Sequence, residues 1–471
     1  MSGKASHARS ALLWDESFLW GILAYKALKE AGVPFELLRS ADIRQGRLKE
    51  YGMLFVPGGW ASNKMKSLGE EGLSEIRRFV EEGGNYLGLC GGAGLATRDG
   101  IGLINVKRKP TAERVPSFSG RIVLRLEPHP LWKGITLSEE ASADRPGPDA
   151  DATASGGRPF SAVFHAWWPS QFIAEDAGVK ILASFGEALP DSFSSDLSVG
   201  DIRAHGDWQR LEDFYRINLN PARLSGEAAV VEGRYGKGKV IISLVHFDTP
   251  DDHNGATVLR NLWDYLSAGK AGEGIRKTVY RNGTADPRIP GITAAVDDLI
   301  GLGTRNFLWF WRTPVFLQWR RGVRGLEYCT LSVMIREIAR LLQERGGIAG
   351  LKGDPGAPAL VPSFEERFNK VRALLLPFLA RAGRLLVLER EAMQKGVITY
   401  EHCDDPVICE MRTELFSHAK SHGGLFKELL DEVDDLLYAL LNASLKIAAK
   451  TKPIPPPRSP SSQRTAKKNQ S

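Results

Sequence analysis

Cys90 stands inside a run of small residues, Gly-Leu-Cys-Gly-Gly, that follows the apolar segment 85–89. A thiol on a sharp turn between a strand and a helix needs glycine neighbours, because such a turn crowds the backbone. The start of the following helix presents free amides and the positive end of its dipole to the sulfur, which favours a reactive thiolate. The pattern therefore predicts a nucleophile at Cys90, with a buried, inert thiol at a tight turn as the alternative.

Two further stretches supply the groups that a cysteine nucleophile requires. Gly58 and Gly59 end a predicted strand, where bare backbone amides, together with that of Gly91, could bind an oxyanion. His246 and Asp248 follow a strand far downstream, and residues two apart on an extended segment share a face. We therefore expect Asp248 to orient His246, and His246 to accept the thiol proton as a general base.

Other polar and aromatic residues are weaker candidates for the site. His165 is a second candidate for the base. Trp167 and Trp168 could line a pocket over the cysteine, but an aromatic core is the preferred interpretation. Asp251 and Asp252 suit a loop that caps the following helix better than a metal site. The histidines and cysteines near the C-terminal end lack the spacing of a structural zinc site. The sequence thus predicts neither a metal nor another cofactor.

The elements around Cys90 alternate between strand and helix. Apolar strand patterns and amphipathic helical segments follow one another at 10–14, 17–32, 34–38, 52–59, 70–84 and 85–89. Such alternation indicates an α/β fold with a doubly wound, mostly parallel sheet, in which ligands bind beyond the carboxyl ends of the strands. Gly58, Gly59 and Cys90 all lie at such ends.

Further strands are predicted downstream. A hairpin is expected over 226–248, turning at Gly236-Lys237-Gly238, and a closing helix over 254–269. The polar, Pro- and Gly-rich segment 138–159 is typical of an exposed insertion. The remaining strand patterns occur at 120–127, 160–168 and 178–186.

The glycine turn, the cysteine elbow and the strand-end histidine occur here in the order found in class I glutamine amidotransferase-like domains, which the chain resembles. Within that superfamily the segments LFVPGGW, FVEEGGNYLGLCGGAGLA and YGKGKVIISLVHFD are most similar to the N-terminal domain of eukaryotic biotin–protein ligases and its stand-alone bacterial relatives. The resemblance covers residues 8–272 and implies a flavodoxin-like fold. It also implies roles for individual residues: nucleophile Cys90, base His246, orienting carboxylate Asp248, and oxyanion donors Gly58, Gly59 and Gly91.

The chain departs from the family pattern at several points. Asp248 replaces the usual glutamate, and Phe247 occupies a position often held by proline. No Gly-Arg-Gly-Arg adenylate loop is present, so we predict no biotin transfer, and no synthase domain follows. We expect a hydrolase or acyl transferase acting on a small amide or ester. The alternative is a catalytically inactive regulatory domain that binds a ligand or a protein.

The second half of the chain is predicted to be a helical bundle over 287–450, built from long amphipathic segments broken at Pro377 and at Gly423-Gly424. Such a module could bind a protein partner. The aromatic and arginine-rich stretch 306–325 suits either peripheral contact with a membrane or, preferably, a buried patch between domains.

Composition excludes several classes of protein. Of the net charge of +6, five positive charges lie in 451–471, a Pro- and Ser-rich segment predicted to be a disordered basic tail. The remainder is nearly neutral, which argues against nucleic-acid binding. The four scattered cysteines do not form a disulfide framework. Because the sequence shows neither a signal peptide nor a transmembrane segment, we expect a cytoplasmic protein.

Overall fold

A computed structural model describes most of the chain, namely residues 9–138, 160–174, 176–267, 288–345, 347, 361–396, 398–399, 403–418 and 421–450. Nearly all of the predicted insertion 138–159, the domain boundaries at 272 and 287, and the predicted tail 451–471 lie outside these residues.

The first half contains the strands of one large sheet and a small accessory pair. The strands are β1 (Ser10–Leu13), β2 (Phe35–Leu38), β3 (Met53–Val56), β4 (Asn85–Leu89), β5 (Lys107–Arg108), β6 (Phe118–Leu126), β7 (Phe160–Trp167), β8 (Phe172–Ile173), β9 (Lys180–Ala188), β10 (Phe193–Ser194), β11 (Leu197–Ser198), β12 (Ala228–Tyr235) and β13 (Gly238–Ser243). The helices are α1 (Leu19–Ala31), α2 (Ser40–Arg44), α3 (Ala61–Glu81), α4 (Gly91–Ala96), α5 (Val199–His205), α6 (Trp208–Tyr215) and α7 (His253–Leu266).

The large sheet has eleven strands in the order β11-β10-β6-β9-β12-β13-β4-β3-β1-β2, with β7 paired to β6. Its β2-β1-β3-β4-β13 portion is parallel, and the remainder is antiparallel. The predicted α/β fold is therefore confirmed, with an antiparallel extension beyond β13. The predicted hairpin is β12–β13, which turns at Gly236 and Lys237.

The register of the parallel strands brings their carboxyl ends to one edge. Val56 of β3 pairs with Gly88 of β4, and Leu89 pairs with Ser243 of β13. Since the chain continues directly into Pro57, Cys90 and Leu244, the three predicted site segments leave the sheet side by side. Helix α3 packs near this edge and is interrupted at Gly69, whose φ is +63°.

The second half is helical, with one hairpin that the sequence did not predict. Its helices are α8 (Arg288–Arg305), α9 (Gly325–Glu344), α10 (Val361–Lys395), α11 (Pro406–Phe416) and α12 (Gly424–Lys450), and the hairpin is β14 (Trp309–Thr313) with β15 (Phe316–Trp319). Helix α12 packs against α9, α10 and α11, and α8 packs against α9 and α10. The predicted break at Pro377 was wrong: α10 continues through this residue, because Pro377 and the carbonyl it frees, at Ala373, lie on the exposed face.

The helical half packs against the strand ends of the sheet. The Trp14 indole donates to Asp434 Oδ1 at 2.9 Å, and Arg39 pairs with Asp435 at 2.8 Å. The hairpin packs the buried Phe316 against Trp20 and Trp167 of the first half, which favours a patch between domains for the aromatic stretch. Within the described ranges, no helix combines the length and apolarity needed to cross a membrane.

Candidate active site

The cysteine elbow joins β4 to α4. Cys90 has a φ of +49° and a ψ of −103°, a conformation that non-glycine residues rarely adopt. Its amide donates to the carbonyl oxygen of Ser243 at 2.8 Å, which fixes the elbow to the end of β13. Cys90 is half-buried.

Glycines flank Cys90 because the backbone of another loop lies directly against them. A Cβ added at Gly91 would lie 1.9 Å from the carbonyl oxygen of Gly59, and one at Gly92 would lie 2.0 Å from that of Val56. The Gly92 amide also donates to Pro57 O at 3.1 Å. Any side chain at these positions would separate the elbow from the Pro-Gly-Gly loop, residues 57–59.

The predicted oxyanion donors lie around this backbone contact. Gly59 has a φ of +109°, and within the described residues the amides of Gly58, Gly59 and Gly91 donate to no protein acceptor. A Cβ added at Gly58 would lie 3.1 Å from Cε1 of His246. Within this loop Gly58 lies next to the imidazole of His246, and the adjacent Gly59 lies next to Gly91 of the elbow. The loop thus leaves backbone donors available for a ligand beside the imidazole.

His246 and Asp248 form a buried pair. Nδ1 of His246 lies 3.0 Å from Oδ1 of Asp248, and both side chains are fully buried. The prediction that the two residues share the face of a strand was wrong, because β13 ends at Ser243. They lie in a turn instead, in which Thr249 donates both its amide (3.3 Å) and its hydroxyl (2.9 Å) to His246 O.

The surroundings of His246 favour its protonated form. Burial lowers the pKa of His246, but the Asp248 carboxylate and the neighbouring Cys90 outweigh it and raise the pKa to about 9. In the part of the chain that the structure describes, Nε2 of His246 and Oδ2 of Asp248 have no hydrogen-bond partner. Because a buried polar nitrogen without a partner is costly, the free Nε2 marks a position that a thiol or a substrate proton would fill.

Trp20, which the sequence analysis did not single out, covers the other side of the imidazole. Its ring centroid lies 4.5 Å from that of His246 at an interplanar angle of 30°. Phe316 of the helical half packs behind it at 5.5 Å. Nothing in the sequence distinguishes Trp20 from the other apolar residues of α1, so only the fold reveals this contact.

Lys64 is a second residue that was missed. Its side chain is fully buried beneath the Pro-Gly-Gly loop, although it is a lysine. A signal was present, since Lys64 occupies the buried stripe of α3 between Ala61 and Leu68, where an apolar residue is expected.

The side chains of the weaker candidates make contacts outside the elbow, although the carbonyl oxygen of His165 accepts from the His246 amide at 2.8 Å. Nδ1 of His165 lies 2.7 Å from Oδ2 of Asp252, and Asp252 also caps α7 by accepting from the Gly255 amide, as predicted. Trp167 is 2% exposed and stacks on Phe316 at 4.1 Å. Trp168 packs against Trp20 and Trp319. The tryptophans thus belong to an aromatic contact between the halves of the chain rather than to an open pocket.

No group of three or more potential metal ligands is clustered within the described residues. Of the C-terminal histidines, His422 packs between Phe18 and Phe426, 5.4 and 5.3 Å from their ring centroids.

Comparison with known proteins bears on the first half. Residues 48–99 match a family model described as the N-terminal part of biotin–protein ligase. No curated protein matches the chain. Similar solved structures include PurLQS from Thermotoga maritima, at 15% identity and a TM-score of 0.34, covering 55% of this chain and 98% of that one. A glutamine amidotransferase (19% identity, TM-score 0.32) and another from Thermotoga maritima (12%, 0.31) each cover 56% of this chain and are themselves covered completely.

The family match contains the Pro-Gly-Gly loop and the cysteine elbow but ends before His246 and Asp248. Over residues 48–99 this chain therefore carries the sequence signature of the N-terminal domain of biotin–protein ligases, as the resemblance predicted.

Proposed function

We propose that the first half of the chain is an amidotransferase-like hydrolase or acyl transferase in which Cys90 is the nucleophile. The observation that carries this proposal is the unpartnered Nε2 of a buried His246–Asp248 pair beside a cysteine held on a strained turn. Strain of this kind persists only where the surrounding structure enforces it, and it is concentrated at functional sites.

The reaction starts from a thiolate–imidazolium pair, in which the proton of the Cys90 thiol resides on Nε2 of His246. The raised pKa of His246 favours this imidazolium, and Asp248 neutralises its charge. The thiolate then attacks the carbonyl carbon of an amide or ester. The C=O π electrons move to the oxygen, and the amides of Gly59 and Gly91 donate to the oxyanion that forms.

Collapse of this intermediate breaks the bond to the leaving amine or alcohol, which takes its proton from the His246 imidazolium. Cys90 is then acylated as a thioester. Water, or another acceptor in the transferase case, loses a proton to His246 and attacks the thioester carbonyl. The product carboxylic acid or acyl derivative departs as the thiolate is released, and this restores the thiolate–imidazolium pair of Cys90 and His246.

Burial indicates the side from which a substrate enters. His246 is fully buried under Trp20, whereas Cys90 is half-buried. Trp60, which follows Gly59 in the chain, is 38% exposed. A small amide or ester would reach the thiol from the Trp60 side, with its carbonyl oxygen towards the Gly59 amide. The helical half is proposed as the module that binds a protein partner.

A second candidate function is a catalytically inactive domain that binds a ligand or a protein. The burial of His246 beneath Trp20 and Phe316 favours it, because a closed base cannot exchange protons with substrate unless the cover moves. The catalytic function requires a reactive Cys90 thiol, whereas the binding function does not.

The test is the rate at which iodoacetamide alkylates each cysteine of the full chain at pH 7, followed by peptide mass spectrometry. We expect Cys90 to react at least about tenfold faster than the exposed Cys409. Cys329 serves as an unreactive internal control, because burial raises its pKa to about 12. His246→Ala should remove the advantage. Equal rates for Cys90 and Cys409 would eliminate the catalytic proposal and leave the binding function.

A further inference from the structure

Lys64 lies where a charged side chain is least expected. It is fully buried on α3, and its ammonium bonds to Ser17 Oγ at 2.5 Å, Glu16 O at 3.1 Å and Asp15 O at 3.4 Å. Across the described ranges, no carboxylate lies within ion-pair distance of this ammonium. A buried cation without an ion-pair partner is costly, and methionine would fill the same space at lower cost.

The loop that Lys64 holds, residues 15–18, borders the candidate site on two sides. Glu16 and Phe18 both have positive φ, at +57° and +46°, so the bonds from Lys64 hold a strained segment in place. This segment leads directly into α1, which places Trp20 over His246.

On its other side the same loop touches the predicted oxyanion donor. A Cβ added at Gly59 would lie 2.5 Å from Glu16 O, 3.5 Å from Cε of Lys64 and 3.6 Å from its Nζ. Gly59 in turn contacts the elbow at Gly91. The ammonium of Lys64 is thus separated from the Cys90 turn by one layer of backbone.

We propose that Lys64 is a positioning residue for the Cys90 site: in its protonated form it holds the loops carrying Gly59 and Trp20 in place and provides the positive charge that favours the Cys90 thiolate. This role rests on the proposed function. Lys64 does not touch the reacting atoms; it acts through the Gly59 loop and through the electric field that it produces at the sulfur.

The charges around Lys64 are consistent with this role. Burial lowers the pKa of Lys64 to about 7, against the opposing effects of Glu16, Asp15, Asp434 and Cys90. Because a group with this pKa is protonated below pH 7 and neutral well above it, its assistance to the thiolate is strongest in the acidic range and disappears as the pH rises through about 7.

The experiment measures the alkylation rate of Cys90 by iodoacetamide from pH 6 to pH 9 in the full chain, comparing wild type with Lys64→Met. The matched control is Lys66→Met, which removes an exposed lysine from the same helix. At pH 6 we expect Lys64→Met to react about tenfold more slowly than wild type, and the two rates to converge by about pH 8.5. Lys66→Met should stay within about twofold of wild type throughout.

A purely structural role for Lys64 would lower the rate by the same factor at every pH, and that result, or superimposable profiles, would overturn the proposal. If far-UV circular dichroism shows that Lys64→Met is unfolded, Ser17→Ala decides. Loss of the Ser17 hydroxyl removes an acceptor of the Lys64 ammonium and should lower the pKa of Lys64 further. The assistance to Cys90 should then disappear at a lower pH than in wild type, and an unchanged pH profile of the alkylation rate would contradict the proposal. If wild-type Cys90 is no faster than Cys409, the proposed function fails first; if it is faster and Lys64→Met matches it, only the role of Lys64 fails.

Discussion

Asp248 reaches His246 around a turn, with Oδ1 3.0 Å from Nδ1, although its side chain is one methylene shorter than the glutamate that the family resemblance implies at this position. The turn compensates for the shorter side chain, because the Thr249 amide and hydroxyl both bond to His246 O and draw the two residues together. The pair is fully buried, so neither partner is screened by solvent.

Asp248→Asn is expected to lower the alkylation rate of Cys90 at pH 7 by about 10²-fold. The amide cannot carry the charge that raises the pKa of His246 to about 9. The rate is measured with iodoacetamide and peptide mass spectrometry. Asp251→Asn is the matched control, since Asp251 is exposed and its positive φ of +62° suits asparagine. Equal rates in Asp248→Asn and Asp251→Asn would exclude a role for the carboxylate.

Gly91→Ala should destabilise the protein by about 3 kcal/mol or more, because the new methyl would overlap the carbonyl oxygen of Gly59. Gly291→Ala is the control: a Cβ there meets nothing within 4 Å, and alanine in helix α8 should stabilise by up to about 1 kcal/mol. Urea unfolding followed by circular dichroism measures both. A Gly91→Ala variant as stable as wild type would contradict the contact between the elbow and the Pro-Gly-Gly loop.

The stability conferred by His246 should depend on pH. Its pKa is raised from 6.5 to about 9 in the folded chain, so the folded state binds the extra proton between these values. The contribution is complete below about pH 6.5 and is lost as the pH rises through about 9. The free energy of unfolding of wild type, minus that of His246→Gln, should therefore decrease by on the order of 1 kcal/mol or more from pH 6 to pH 9.5.

The difference between the two proteins isolates His246 from an opposing group. Lys64, with its pKa lowered to about 7, makes both proteins more stable as the pH rises, and this effect cancels in the subtraction. A difference that is constant or grows with pH would show that the folded protein does not raise the pKa of His246.

Local sequence patterns were sufficient to predict the elbow, the Pro-Gly-Gly loop and the α/β alternation, because each depends on residues close together in the chain. The His246–Asp248 pair was predicted for a different reason from the one that holds: strand periodicity implied a shared face, whereas the turn at Thr249 brings the carboxylate round. Trp20 could not have been predicted, since its partner is more than two hundred residues away and its own segment is an ordinary amphipathic helix.

The hairpin β14–β15 was missed because part of its burial comes from the other half of the chain: Phe316 packs on Trp20 and Trp167, whereas Trp309 packs on Tyr328 of its own half. Trp309 and Phe316 are buried on it while Phe310 is 50% exposed, but the register shifts between Trp311 and Thr313 and disrupts the two-residue period. Aromatic residues on this hairpin pack against Trp167 and Trp168, for which the sequence preferred an aromatic core over a pocket. The partners that form this core lie in a distant segment and could not be read from the local pattern.

This hairpin provides the last test. Phe316→Ala should destabilise the protein by about 3–5 kcal/mol, because Phe316 is fully buried among Trp20, Trp167 and Trp168. Phe310→Ala, on the same hairpin, should change stability by no more than about 0.5 kcal/mol. Both values come from urea unfolding monitored by tryptophan fluorescence. If the two substitutions had equal effects, Phe316 would not form the contact between the helical half and the residues that cover His246.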